Sequence, residues 1–125
     1  MRPQTNKPLL MLAAAGIILG GCATAMRYTE RAMIQHDRDT EYAIEQRQDG
    51  FTITVYYSRY QFIPESSAVA SACRSALTSL AYDHADQTGR KIEPINEQRV
   101  RLSMGRNGFT GITSCSAQAL VNWQK

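Results

Sequence analysis

Between Pro64 and Gly89 the apolar residues recur at helical spacing, and on either side of that stretch they alternate instead. This change of period, from strand to helix and back, limits the folds open to the chain more than any other feature. Val69, Cys73, Leu77, Leu80 and His84 are spaced by four, four, three and four, so with Ala76 and Ala81 they share one face of a helix over residues 68–88. Glu65, Ser66 and Ser67 offer an N-terminal cap, and Gly89 suits the left-handed residue that closes a helix. The many alanines on the inner face would let this helix approach a sheet closely.

Four extended segments surround it. Residues 42–47 read as a weak strand, and Asp49-Gly50 is a strong hairpin signal of the type I′ kind. Phe51, Ile53, Val55 and Tyr57 then alternate with polar residues, and the apolar phase slips at Tyr60 and Phe62, which predicts a bulge or a strand end that changes face. Residues 99–104 alternate, with Val100, Leu102 and Met104 on one face and arginines on the other. Residues 105–108 are turn chemistry. From Ile112 onward Cys115, Ala117, Ala119, Val121 and Trp123 share a face. The predicted fold class is α+β, a two-layer ββαββ domain with one helix on a four-stranded, mainly antiparallel sheet.

The N-terminal region has a different character. Arg2 and Lys7 precede an apolar run over residues 9–19, and Leu19-Gly20-Gly21-Cys22 follows directly. A basic n-region, an apolar h-region and small residues at a cleavage point make a secretory signal peptide. The cysteine after two small residues resembles the lipobox of bacterial lipoproteins. That resemblance covers residues 1–22. It implies cleavage before Cys22, a diacylglycerol on its sulfur and a bacterial cell-envelope location. Ala23, where an Asp would favour inner-membrane retention, points to the outer membrane facing the periplasm. The implied organisation is a signal peptide at 1–21, a lipidated flexible tether at 22–40 and a small α+β periplasmic domain at 41–125. The tether expectation rests on a polar, charge-mixed stretch in which Met26, Met33 and Ile34 are too few to define a core face.

Cleavage would leave 104 residues, enough for one small core. With Arg2 and Lys7 gone, 12 Lys and Arg stand against 11 Asp and Glu. A near-neutral domain gives no electrostatic reason to expect nucleic acid. With Cys22 taken by lipid, Cys73 and Cys115 remain as an even pair in an oxidising compartment. Both fall on apolar faces, one of the helix and one of the last strand, so a disulfide between them is expected.

No catalytic pattern emerges. The two histidines, His36 and His84, lie near aspartates without zinc-site spacing, and no serine sits in a nucleophile elbow. Glu93 and Glu97 near a loop are the carboxylates to consider for glycan hydrolysis. No cofactor or metal is expected. Tyr56, Arg59 and Tyr60 form an aromatic and arginine cluster suited to a protein or glycan contact, and Arg99 and Arg101 line a strand's polar face. Each group has a plainer reading, as cross-strand pairs or a solvated face. The function expected is a membrane-anchored lipoprotein acting as a non-catalytic binding or assembly-accessory protein. The alternatives are a small enzyme that processes envelope polymers and a purely structural lipoprotein.

Overall fold

A computed structural model describes residues 24–125; Cys22, its lipobox and the apolar run before it lie outside the described residues. The described residues form an α+β domain in which one helix packs on a five-stranded antiparallel sheet. The strands are β1 (Ile34–Gln35), β2 (Thr40–Arg47), β3 (Gly50–Tyr60), β4 (Arg101–Asn107) and β5 (Ile112–Asn122), and the helix α1 is Ser66–Thr88. Their order across the sheet is β1-β2-β3-β5-β4. β5 inserts between β3 and β4, which therefore run in the same direction, and α1 makes the crossover between them.

The helix face appears as its period requires. Val69, Cys73, Leu77, Leu80, Ala81 and Ala85 are buried against β3 and β5. Opposite them stand Phe51, Ile53 and Val55 of β3, and Cys115, Ala117, Ala119 and Val121 of β5. Full burial of Phe51, Ile53 and Leu77 contributes roughly 1.5–3 kcal/mol each. Small residues on both layers bring backbone and helix close enough for Cys73 and Cys115 to form a disulfide, with Cα atoms 6.2 Å apart. Gly89 ends the helix at φ 73°, and its N–H reaches back to the last-turn carbonyls. The other end has no side-chain cap; instead the Gln61 amide brackets Glu65, accepting from its N–H and donating to its carbonyl.

Several expectations need correction. The sheet has five strands, not four, and the extra one precedes the ββαββ pattern. Ile34 and Gln35 pair with Tyr42 and Glu41 around a turn in which the Asp37 carboxylate accepts from Asp39 N–H. A two-residue strand is too short to carry a period. The hairpin turn is Gln48-Asp49, because Arg47 pairs with Gly50. Gly50 is already in β3, where a Cβ would lie 1.8 Å from the Val121 carbonyl oxygen. Close passage of β5, not a positive φ, calls for glycine there. No bulge interrupts β3, whose register with β5 runs unbroken from Gly50↔Asn122 to Tyr60↔Ile112. Arg99 ends a short 3-10 turn, Glu97–Arg99, capped by Asn96, and β4 starts only at Arg101. Gly105 and Arg106 belong to β4 instead of the turn after it.

The largest departure concerns residues 24–33. The stretch read as a flexible tether lies across the sheet face opposite the helix. Ala25 and Thr29 are buried. Met26 N–H donates to Ser103 Oγ at 2.8 Å, Gln118 Nε2 donates to the Tyr28 carbonyl at 3.2 Å, and Thr29 Oγ1 donates to Glu45 Oε1 at 2.8 Å. The face beneath is built from Ala43, Thr52, Thr54, Ser114 and Ser116, all buried. Side chains this small leave room for a crossing backbone and offer it hydroxyl partners. This segment is termed the strap.

Candidate functional site

The strap and sheet enclose a cleft of about 200 Å³. Arg27, Tyr28 and Thr29 form one wall, Glu41 and Tyr56 another, and the hydroxyls of Thr54 and Ser116 lie beneath. Tyr56 faces this cleft because even-numbered residues of β3 point away from the helix, and Glu41 is its direct cross-strand partner. Tyr28 is held in place by Arg101, whose guanidinium lies 4.9 Å from its ring centre and reaches Gln118 Oε1 at 3.4 Å. The site thus offers two aromatic rings, a cation, a carboxylate and two hydroxyls. Its volume is below the usual 300–1,000 Å³ of small-molecule sites, so it suits one side chain or one sugar unit of a larger partner.

A second cleft of about 390 Å³ lies where the connection after α1 runs beside β5, lined by Glu93, Ile95, Asn96, Arg99, Leu120 and Asn122 among others. Glu93 N–H donates to the Asn122 carbonyl there at 2.8 Å. Arg99 belongs to this cleft and Arg101 to the strap, so the two arginines do not act as one row. Glu97 does not line the cleft with Glu93, and the paired carboxylates that glycan hydrolysis needs are not brought together there.

Tyr56, Arg59 and Tyr60 are also divided. Arg59 points to the helix side of the sheet and Tyr60 to the strap side. Tyr60 is at the end of β3, beyond the cleft, and is 62 % exposed. Arg106 holds two loops together. Its guanidinium donates to Thr113 Oγ1 at 2.9 Å and to the carbonyls of Gly111 and Gln61.

The histidines do approach each other. His36 and His84 line one small hollow with Tyr42 and Asp83. His84 packs edge-on against Phe51, 4.7 Å between ring centres, and stacks near Trp123. Burial lowers its pKa from the ordinary histidine value. Gln46 Nε2 lies 3.2 Å from His84 Nε2, a contact that suits a neutral ring with its proton on Nδ1. Its partner is an amide, not a serine or a carboxylate. Among the described residues no three His, Cys, Asp or Glu side chains are grouped to hold a metal ion, and no helix is long and apolar enough to cross a membrane.

Sequence reasoning missed Tyr28, Thr29 and Glu41 as site residues. One signal was available: Thr52, Thr54, Ser114 and Ser116 face away from the helix without a charge among them, an odd choice for a surface left in water. Comparison with known proteins finds no family, no curated protein and no solved structure that matches the chain.

Proposed function

We propose that this chain is a bacterial envelope lipoprotein, anchored through lipid on Cys22, whose domain binds a partner without transforming it. The observation that carries the reading is Leu19-Gly20-Gly21-Cys22 directly behind the apolar run at 9–19. Each buried methylene of an acyl chain contributes about 0.8 kcal/mol, so several chains on one residue hold the protein at a bilayer. Ala23 favours the outer membrane, facing the periplasm. The Cys73–Cys115 disulfide suits that oxidising compartment.

The cleft under the strap is the binding site in this reading, with Tyr56, Tyr28 and Arg27 as contacts and Arg101 holding Tyr28 in position. A protein loop or a glycan of the envelope is the partner class, since aromatic rings beside an arginine and hydroxyls serve both. The test has two parts. Intact mass of protein extracted from membranes should show loss of residues 1–21 and lipid on Cys22; an unmodified precursor would end the anchor reading. A photoreactive residue at Tyr56 should capture one envelope component in living cells, and the same residue at Tyr82, exposed on the helix, should not. Equal capture at both positions would end the binding reading.

A further inference from the structure

We propose that the end of the sheet carrying Tyr60, Phe62, Ile63, Phe109 and Ile112 is a membrane-docking face that rests in a phospholipid leaflet. The inference rests on the lipid anchor at Cys22 and adds the orientation of the domain.

Among the described residues, five of the nine large apolar side chains that are exposed lie at this one end. Tyr60 ends β3, opposite Ile112 at the start of β5. Phe62 and Ile63 follow in the connection to α1, and Phe109 is in the β4–β5 turn. Phe62 and Phe109 are 85 % and 86 % exposed, more than a monomer in water gains from. They are held there, not left loose. Arg106 ties the Gln61 and Gly111 carbonyls together, Gln61 N–H donates to the Gly111 carbonyl at 2.8 Å, and Asn107 Oδ1 accepts from Phe109 N–H at 2.9 Å. At this end of the sheet, where the β1–β2 turn lies beside Ser58, Arg38, Arg59 and Arg106 are balanced by Asp37, Asp39 and Glu65. Aromatic and aliphatic side chains gathered at one end, with no net charge to repel a phospholipid surface, suit an interfacial position.

The strap supplies the direction. Thr29 is bonded at Glu45, level with Leu120 through Thr52. Tyr28 is bonded at Gln118, Met26 at Ser103 level with Ser116, and Thr24 and Ala25 lie on Gly105, level with Ser114. Each step toward the N-terminus moves two residues along β5 toward Ile112. At about 3.3 Å per strand residue, Thr24 is roughly 7 Å short of the level of Tyr60 and Ile112. Cys22 is two residues further back, a reach of about 7 Å. The level of the apolar end is therefore within covalent reach of Cys22, and a two-residue link is too short to lift that end far from the bilayer.

The lipidated mature protein, reconstituted into vesicles of phosphatidylethanolamine and phosphatidylglycerol with brominated acyl chains, tests this. Phe109→Trp and Phe62→Trp place reporters at the apolar end. Leu120→Trp places one at the other end of β5, on an exposed residue roughly 26 Å away by strand rise. The bromines should quench the Phe109→Trp and Phe62→Trp signals by roughly half, as for a side chain some 5–10 Å into the interface, and leave Leu120→Trp near its unbrominated level. Equal quenching at both ends, or none in anchored protein, would overturn the orientation while leaving the anchor standing. Reporters at 62 and 109 shielded from both bromine and aqueous acrylamide would assign the surface to a second copy of the chain. Protein recovered from cell membranes with an unmodified Cys22 would overturn the anchor, and the docking face with it.

Discussion

Gly105 and Ala25 touch backbone to backbone: a Cβ built on Gly105 would lie 2.5 Å from Ala25 N. The strap is seated because β4 has no side chain at that point. Gly105→Ala forces the strap off its track or bends β4. Overpacking of this kind costs about 1–3 kcal/mol. The expected outcome is a lower unfolding midpoint and faster hydrogen exchange at Met26, whose N–H is bonded to Ser103 Oγ. Unchanged exchange at Met26 in the variant would mean that the strap is not held by this contact.

Gly50 and Gly89 call for glycine for opposite reasons, and that ranks their variants. At Gly50 a Cβ would run into the Val121 carbonyl at 1.8 Å, so Gly50→Ala must displace β5 backbone. At Gly89 nothing lies within 4 Å, and the cost is only the left-handed φ of +73°, about 1–2 kcal/mol for a residue with a Cβ. Denaturant titration should find Gly50→Ala the more destabilised, by ~1 kcal/mol or more. The reverse order would discount the close β3–β5 approach.

What the sequence disclosed and what it concealed divide along physical lines. α1, its apolar face and the pairing of Cys73 with Cys115 were readable because burial on one side imposes a period on side chains. The last strand was readable for the same reason. The strap carries no period, since its main attachments use its backbone: Met26 N–H and the Tyr28 carbonyl would bond Ser103 and Gln118 whatever side chains they bore. Gly50 and Gly105 both looked like turn residues because a sequence does not distinguish a glycine that bends from one over which another chain passes. The grouping of Tyr56, Arg59 and Tyr60 failed on simple parity, since position 59 points to the opposite face. Tyr28 entered the site only through the strap, so no local pattern could have named it.

The disulfide closes a loop with a sequence separation of 42 between helix and central sheet. In the chain-entropy account a loop of this size is worth about 4 kcal/mol, a large part of the 5–15 kcal/mol typical of a domain. The paired Cys73→Ala, Cys115→Ala variant should lose about that amount in denaturant titration, with the same loss in the parent protein under reductant. A loss below ~1 kcal/mol would show that α1 packing alone fixes the helix on the sheet.

Burial of His84 against Phe51 and Trp123 makes stability depend on pH in a definite direction. Its pKa is lowered in the folded protein, so the folded state resists the proton that the unfolded chain accepts. Above the ordinary value of about 6.5 the ring is neutral in both states and stability is at its full level. As pH falls below that value the unfolded chain gains protons first. Stability then declines until the folded-state pKa is passed, where the decline ends. The charged and titratable groups facing the same hollow are Asp83 on the helix and His36 and Tyr42 from the sheet side, while Arg90 lies over Trp123, 4.6 Å from its ring centre. These remain in His84→Gln, so the difference between variant and parent isolates His84. Asp37, whose carboxyl is held below its usual value by Asp39 N–H, acts only in a more acidic window, as stability present above 3.8 and lost below it. Unfolding free energies measured between about pH 8 and pH 5 should fall for the parent and stay flatter for His84→Gln. Parallel curves for the two proteins would mean that burial of the ring does not set the pH response.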